Sequence, residues 1–309
     1  MGQGATTGSL VVTLEALKEM HLTPEDIQLI QNDTKTCPDT GMAGASRSLY
    51  MDGNATIIAA NKLLAAMRKE DGTLRTYDEM KAEGIETKYL GRYETNTTPG
   101  LCRLDPNTGI GDPTPAFTYC LNLAEVEVDT KTGKTTVLKF TCVDFVGRIG
   151  NIDAVNGQAY SGIMHGIGFA LKEDYADVKK HANMFGAGTS YIKDVPDDID
   201  LIHIDGAISD GPFGSSGASE AFQASGHCAV LNGIYNACGV RIHEIPALPE
   251  KVKAGLDAIE KGEKPYEPKK YFLGSDMYEE LENIKENPVQ VGTQSFYVSL
   301  DDPTAERPF

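Results

Sequence analysis

Residues 214–220 read Gly-Ser-Ser-Gly-Ala-Ser-Glu and lead directly into a long stretch with helical spacing of apolar residues. Glycine leaves the backbone N–H groups accessible, and the N–H groups at a helix N-terminus point outward with a partial positive charge. The run therefore predicts an anion-binding turn, with Glu220 beside whatever binds there. A glutamate in the first turn of a helix also stabilises the helix dipole without any ligand. The run alone leaves both roles open.

Similar junctions between a glycine-rich loop and a helix occur elsewhere in the chain. They lie at residues 2–8 and 41–47, and a polar helix start occurs at Asn156-Gly157-Gln158. Several such turns predict a large anionic ligand, of polyphosphate or pterin type, held mainly by backbone donors. None ends in the Gly-Lys-Ser/Thr of a P-loop, and none has the strand–GxGxxG–helix order of a dinucleotide-binding fold.

Composition disfavours several classes of protein. The formal charge of −17 argues against a nucleic-acid or anionic-membrane partner, since both need clustered Lys and Arg. No stretch approaches the roughly 20 apolar residues of a membrane span, and no signal-peptide features occur at the N-terminus. We therefore predict a cytoplasmic protein. The six cysteines form no C-x-x-C pair, which argues against a zinc knuckle or an iron–sulfur ligand run within this chain.

Apolar periodicity predicts a mixed fold of the α/β (α+β) class, with mixed sheets and packed helices. Helices are expected at 9–20, around 57–67, at 152–171, after 220, at 250–261 and at 275–286, and strands at 119–129, 135–144 and 201–204. Thr130-Lys131-Thr132-Gly133 predicts a hairpin turn between the first two strands.

Two irregularities in this pattern carry further predictions. In the first hairpin strand the apolar set changes parity between Leu121/Leu123 and Val126/Val128, which predicts a β-bulge. In the helix at 152–171, Gly157, Gly162 and Gly166 each cost about 1 kcal/mol relative to alanine. We expect another part of the molecule to approach that helix closely.

Five segments of the chain occur in an order typical of one family. They are MGQGA (1–5), PDTGMAGASR (38–47), NGQ (156–158), GPFGSSGASE (211–220), and GVRI (239–242) followed by LPEKV (248–252). Together they resemble the molybdenum-binding portion of the xanthine oxidase family, in particular the bacterial molybdopterin-dependent aldehyde oxidoreductases. The resemblance covers about residues 1–253, and the ordered set is highly specific.

The resemblance implies the C-terminal half of a molybdenum hydroxylase Mo-domain. Residues 1–247 would form a molybdopterin-binding domain of two lobes, with a junction near 72–115. Residues 248–309 would form a helical C-terminal extension and a tail. Met1 coincides with a methionine inside the family's Gly-Gln-Gly motif, which predicts a truncation, a split gene or a separately encoded subunit.

The resemblance also implies which residues contact the cofactor. Gln3 would lie near molybdenum and the pterin, Gln158 would contact the pterin side, and the segment at 44–47 would hold the nucleotide part. The full set is Gln3, Gly4, Ala5, Gly44, Ala45, Ser46, Arg47, Gln158, Ser216, Gly217, Ala218 and Ser219. The expected cofactor is molybdenum-molybdopterin in its cytosine dinucleotide form, and the pterin dithiolene rather than a protein side chain would hold the metal.

Glu220 matches the catalytic base of the family. The implied reaction oxidises an aldehyde to a carboxylic acid with oxygen derived from water, while molybdenum and pterin supply the redox chemistry. The substrate would be a small aldehyde or a heterocycle. The implied partners are an N-terminal Mo-domain half and a segment or subunit with [2Fe–2S] clusters, and the complete enzyme could form a homodimer.

Two residues depart from the family pattern beside the proposed base. Ser219 stands where the family has glycine, and Phe222 stands where it has proline. A side chain at position 219 could crowd the cofactor. The alternative hypothesis is therefore a non-catalytic molybdopterin-binding or degenerate scaffold protein.

Overall fold

The computed structural model of the chain describes residues 3–30, 33–95, 114, 116–177, 179–208 and 210–264. The chain divides into two units, Met1–Pro265 and Tyr266–Phe309, and all of the described residues belong to the first. A further helix expected at 275–286 lies outside the described residues, as does much of the expected lobe junction at 72–115.

Helices and a small mixed sheet make up the described part, which confirms the α+β class. In chain order the elements are α1 (Ala5–Ala16), α2 (Ser48–Met67), α3 (Tyr77–Ala82), β1 (Tyr119–Val128), β2 (Thr135–Phe145), α4 (Ile152–Leu171), β3 (Asp198–His203), α5 (Ser219–Ala224), α6 (Gly226–Cys238) and α7 (Pro249–Glu260). The first helix begins earlier than expected, at Ala5. The helix expected after residue 220 is divided in two at Ser225. None of the described helices is long and apolar enough to cross a membrane.

The sheet has the order β1-β2-β3, with β1 antiparallel and β3 parallel to β2. The expected register shift occurs between Glu125 and Val126, where Leu138 of β2 is the extra residue. Because the extra residue lies on β2, side chains on β1 keep strict alternation along the whole strand. The parity change in the sequence therefore has a different cause: Leu121 and Leu123 lie on the opposite face of the sheet from Val126 and Val128.

The core lies between the inner face of the sheet and helices α4 to α6. Phe140, Ile163, Phe222 and Val230 are fully buried there. A second cluster includes Val240 and packs α7 against the end of α6.

Glycines allow α4 to contact α5 and α6 closely. A Cβ at Gly162 would lie 2.6 Å from Cβ of Phe222, and one at Gly166 would lie 2.9 Å from Cα of Gly226. The expectation of close approach is confirmed at both positions. It is wrong at Gly157, where a Cβ would meet no atom within 4 Å. The contact at Gly162 fixes the position of α5, which carries Glu220.

Candidate functional site

A cavity of about 860 Å³ lies at the N-terminal ends of several helices. Three helices of at least 12 residues, α1, α2 and α4, place their first turns on its wall. The short helix α5 begins there too and brings Glu220 to the wall. Free backbone N–H groups and the helix dipoles make such a site favourable for anions. Since the whole chain carries a formal charge of −17, attraction for an anionic ligand has to come from local groups, here the helix N-termini and the side chains of Lys18 and Arg148 on the cavity wall.

The glycine-rich run contacts the loop at 44–47 directly. A Cβ at Gly217 would lie 1.6 Å from the carbonyl oxygen of Ser46, so the two backbones touch and only glycine fits. The N–H of Glu220 donates to Oγ of Ser46 at 3.1 Å. Ala45 and Ser46 both adopt left-handed backbone conformations, with φ of 52° and 54°. Such conformations are costly for residues other than glycine and concentrate at functional sites.

The other side of the run is tied to the end of β2. The N–H of Arg148 donates to the carbonyl of Gly214 at 2.9 Å, and Oγ of Ser215 donates to the carbonyl of Arg148 at 2.7 Å. Gly147 has a φ of 78°, and a Cβ there would meet the carbonyl oxygen of Gly214 at 2.5 Å. The run is therefore held between two other segments of backbone.

The first turns of α1 and α4 meet across the cavity wall. Gly4 precedes α1 with a φ of 83°, and a Cβ on it would lie 3.6 Å from Cβ of Ala154. Asn151 caps α4, since its Oδ1 accepts the N–H of Ala154 at 2.9 Å. Gln158 lies one turn further along α4 and also lines the cavity.

The predicted site residues lie around this cavity and a second one of about 460 Å³. The larger cavity is lined by Gln3, Gly4, Ala5, Gly44, Ser46, Gln158, Ser216, Gly217, Ala218, Ser219 and Glu220. Ala45 and Arg47 line the smaller cavity, which shares Ser46, Ser216, Gly217 and Glu220 with the larger one. All the predicted residues are thus brought together. Glu220 is exposed, whereas Gln3, Ser46 and Gln158 are half-buried.

Arg47 is turned partly away from the larger cavity. Its Nη1 donates to the carbonyl of Met42 at 3.3 Å. Burial raises the pKa of Asp52, and the nearby Arg47 guanidinium lowers it. The charge of Arg47 is therefore partly compensated by a carboxylate of this chain. Two other cationic side chains, Lys18 and Arg148, do line the larger cavity, together with the first turns of the helices.

Residues 1–196 match the profile of the family described as the molybdopterin cofactor-binding domain. The chain belongs to this family. At 43% identity over 257 residues, this cofactor-binding domain is similar to the aldehyde oxidoreductase of Megalodesulfovibrio gigas. The match covers 83% of this chain and 28% of that protein.

Solved structures agree with the sequence match. The aldehyde oxidoreductase from Desulfovibrio gigas superposes with a TM-score of 0.80 at 42% identity, over 83% of this chain and 28% of that one. The enzyme from Desulfovibrio desulfuricans gives 0.76 at 45% identity, over 82% of this chain and 27% of that one. The resemblance to the xanthine oxidase family is confirmed. The chain spans little more than a quarter of the length of these relatives.

The two residues expected to depart from the family pattern, Ser219 and Phe222, have different structural settings. Phe222 is fully buried against Gly162 in the core, so it acts on packing and forms no part of the cavity wall. Ser219 is half-buried and lines the cavity beside Glu220. Only the serine can affect a bound cofactor directly.

Sequence reasoning missed a buried polar cluster behind the cavity wall. Nδ1 of His203 lies 2.7 Å from Oδ2 of Asp144, and Nε2 lies 2.8 Å from Oδ1 of Asn156. Asp144 is 1% exposed, and its Oδ1 has no hydrogen-bond partner. Burial raises the pKa of Asp144, while the adjacent His203 lowers it. The cluster joins β2, β3 and α4. It therefore attaches α4, the helix on which Gln158 lies, to the sheet.

Proposed function

We propose that this chain supplies the general base and much of the cofactor cradle of a molybdenum hydroxylase that oxidises an aldehyde to a carboxylic acid with water-derived oxygen. One observation supports this proposal above the others. Several helix N-termini and the glycine-rich run line a single cavity, and Glu220 lies on the wall of the same cavity. The aldehyde oxidoreductases it resembles at 43% identity support the aldehyde substrate.

The cavity fits the cofactor in size and in chemistry. Its volume of about 860 Å³ lies within the usual range of ligand sites, and its donors suit a pterin and its phosphates. Gln3, Gly4 and Gln158 would hold the pterin, and the segment at 44–47 would hold the nucleotide, for which we propose cytosine. The bound group supplies the redox chemistry. Within the described residues no group of three or more His, Cys, Asp or Glu side chains could hold a metal. As the family resemblance implies, we propose that the pterin dithiolene holds the molybdenum.

The chain's own contribution is to position a carboxylate and to accept a proton. The N–H of Glu220 is tethered to Ser46, and the glycine-rich run before it is fixed on both sides. The backbone that carries the carboxylate is therefore rigid, as a general base requires. Since Glu220 is exposed here, exclusion of water from it would have to come from the bound cofactor and from further polypeptide.

The further polypeptide is part of the proposal. The match covers only 28% of the Megalodesulfovibrio gigas enzyme, and the cysteines of this chain form no iron–sulfur ligand run. We therefore place the other part of the Mo-domain and the [2Fe–2S] clusters on a preceding segment or a partner subunit.

A second candidate is cofactor binding without turnover. Ser219 stands on the cavity wall at the family's glycine position, and a hydroxymethyl group there could displace a bound cofactor from its reactive position. This candidate predicts molybdenum in the purified assembly but no oxidation of any aldehyde.

The test compares two glutamates that each lie in the first turn of a helix. Glu220→Gln removes the carboxylate on the cavity wall, while Glu250→Gln removes an exposed one from the first turn of α7. Both lose a favourable interaction with a helix dipole, so a difference between them reports a role at the cavity, and the molybdenum content separates cofactor binding from catalysis. The chain is co-expressed with the polypeptide that supplies the preceding part of the enzyme. Molybdenum content, released cytosine nucleotide and aldehyde-dependent dye reduction are then measured.

We expect Glu220→Gln to keep its molybdenum and to lose on the order of 10²–10⁴ in turnover, as is usual for loss of a general base. Glu250→Gln should keep both. A Glu220→Gln assembly with full molybdenum and wild-type turnover would show that the base is assigned wrongly. If the assembly oxidises hypoxanthine and not aldehydes, the substrate belongs to the heterocycle class and the proposed aldehyde substrate is wrong.

A further inference from the structure

One face of the sheet exposes a continuous apolar surface. Tyr119, Leu121 and Leu123 of β1 are 64%, 55% and 57% exposed, and Ile202 of β3 is 50% exposed. The register places Phe145 beside Tyr119, and Val143 between Leu121 and Ile202. We call these six residues the outer sheet face.

The opposite face of the same strands is already covered. Cys120, Ala124 and Val126 of β1 point to the core and pack against it with residues of α4 and α6. An antiparallel strand with one face on a core usually carries polar residues on the other. Contiguous exposed apolar surface of this kind marks an interaction site. The parity change in the sequence of β1 has the same origin. The leucines in the first half of the strand face outward, and the valines in the second half face the core.

The apolar character is concentrated at one end of the sheet, although Leu138 of β2, at the other end, is 51% exposed. At the other end the outward residues are charged, including Glu125 and Glu127 on β1 and Asp198 and Asp200 on β3. Lys139 pairs with both aspartates, at 3.4 and 2.8 Å, which leaves an excess of negative charge. The apolar end is the end beside the cavity, because Phe145 is followed by Val146, which lines it.

We propose that the outer sheet face is the docking surface for the polypeptide that completes the cofactor cavity, namely the N-terminal Mo-domain half that the family resemblance implies. This inference rests on the proposed function. Most of the Megalodesulfovibrio gigas enzyme lies outside the match, and the face is continuous with the cavity that this polypeptide would close. The distribution of charge along the sheet sets the orientation of the docking polypeptide. Its apolar side chains cover the end near Phe145, and its basic side chains face Asp198 and Asp200.

The test uses two leucines of similar exposure. Leu121 on the outer sheet face is 55% exposed, and Leu90, whose carbonyl accepts from Nζ of Lys62 on α2, is 64% exposed. The 309-residue chain is co-expressed with a tagged polypeptide comprising the part of the Megalodesulfovibrio gigas aldehyde oxidoreductase that precedes the match. Leu121→Ser and Leu90→Ser are compared with wild type for co-purification and for melting temperature.

We expect wild type and Leu90→Ser to co-purify with the tagged polypeptide at 1:1, and Leu121→Ser to lose about ten-fold in recovery, equivalent to roughly 1.4 kcal/mol, with an unchanged melting temperature. Equal recovery of the two variants, or failure of the wild-type chain to bind, overturns the proposal. Recovery requires neither molybdenum nor turnover, so an inactive complex with intact docking counts against the proposed function alone.

A photo-crosslinker identifies the occupant independently. Leu121→p-benzoylphenylalanine should yield adducts with the tagged polypeptide, and the same substitution at Leu90 should not. Adducts of position 121 with a second copy of this chain, or with its own residues 266–309, would assign the face to that occupant and overturn the proposal.

Discussion

Replacement of Gly217 by alanine tests the contact that joins the two loops of the site. The added Cβ would lie 1.6 Å from the carbonyl oxygen of Ser46, and 2.6 Å from both its carbonyl carbon and its Cβ. A carbon and a carbonyl oxygen in contact lie about 3.3 Å or more apart. The two backbones would therefore have to separate by roughly 1.7 Å, which side-chain rotation cannot provide.

Such a substitution is expected to cost about 3 kcal/mol of folding free energy. Overpacking of well-fitted sites costs about 1–3 kcal/mol, and the upper end applies because backbone lies on both sides of the run. For a domain of this size each kcal/mol lowers the melting temperature by about 2–4 °C. Gly217→Ala should thus melt about 6–12 °C below wild type.

The control is Gly157→Ala, since a Cβ there meets no atom within 4 Å. Alanine in a helix is favoured over glycine by about 1 kcal/mol, so this variant should melt above wild type. Both are measured on the 309-residue chain by circular dichroism. If Gly217→Ala melts within about 1 °C of wild type, a shift far below that expected, the loops are not in contact and the reasoning fails.

Three further predictions concern the supports of the site. Gly162→Ala places a Cβ 2.6 Å from that of Phe222, so it should lower the melting temperature by several degrees, and a rise would contradict the packing of α5 on α4. Asn151→Ala removes the cap of α4 and should cost about 1 kcal/mol in urea unfolding, whereas Asn151→Asp should retain most of it. Burial raises the pKa of Asp144 from 3.8, so its favourable contribution is complete below that value and is lost as the pH rises through the raised pKa. The melting temperature of Asp144→Asn relative to wild type should therefore increase between pH 4 and pH 8, and a constant difference would count against the raised pKa.

The elements that local patterns control could be predicted. Apolar periodicity located α2 and α4, and turn residues located the hairpin, because these depend on residues close in sequence. The break at Ser225 could not be predicted from local patterns, since it accompanies a tertiary contact, the packing of α5 on Gly162. The parity change at Leu121 and Leu123 was wrongly attributed to a bulge in β1. Periodicity alone cannot distinguish an apolar residue in the core from one on an exposed face.

The site was predictable in its parts and not in its assembly. The glycine-rich loops and the polar helix start indicated backbone donors for an anion, and the family resemblance supplied roles for Gln3 and Gln158. Their convergence on one cavity needs the tertiary fold. The cluster of Asp144, His203 and Asn156 depends on the pairing of β2 with β3 and on the position of α4, so no sequence spacing could reveal it.

The contact between Gly217 and Ser46 links two properties that an enzyme family could otherwise evolve separately. The loop at 44–47 is the proposed nucleotide-binding segment, and the run it touches carries the proposed base, 174 residues away in sequence. A change in the loop that admits another nucleotide form of the cofactor would also displace the backbone of Glu220. Cofactor choice and proton transfer should therefore change together, and an engineered exchange of the loop should be paired with compensating changes in the run at 214–220.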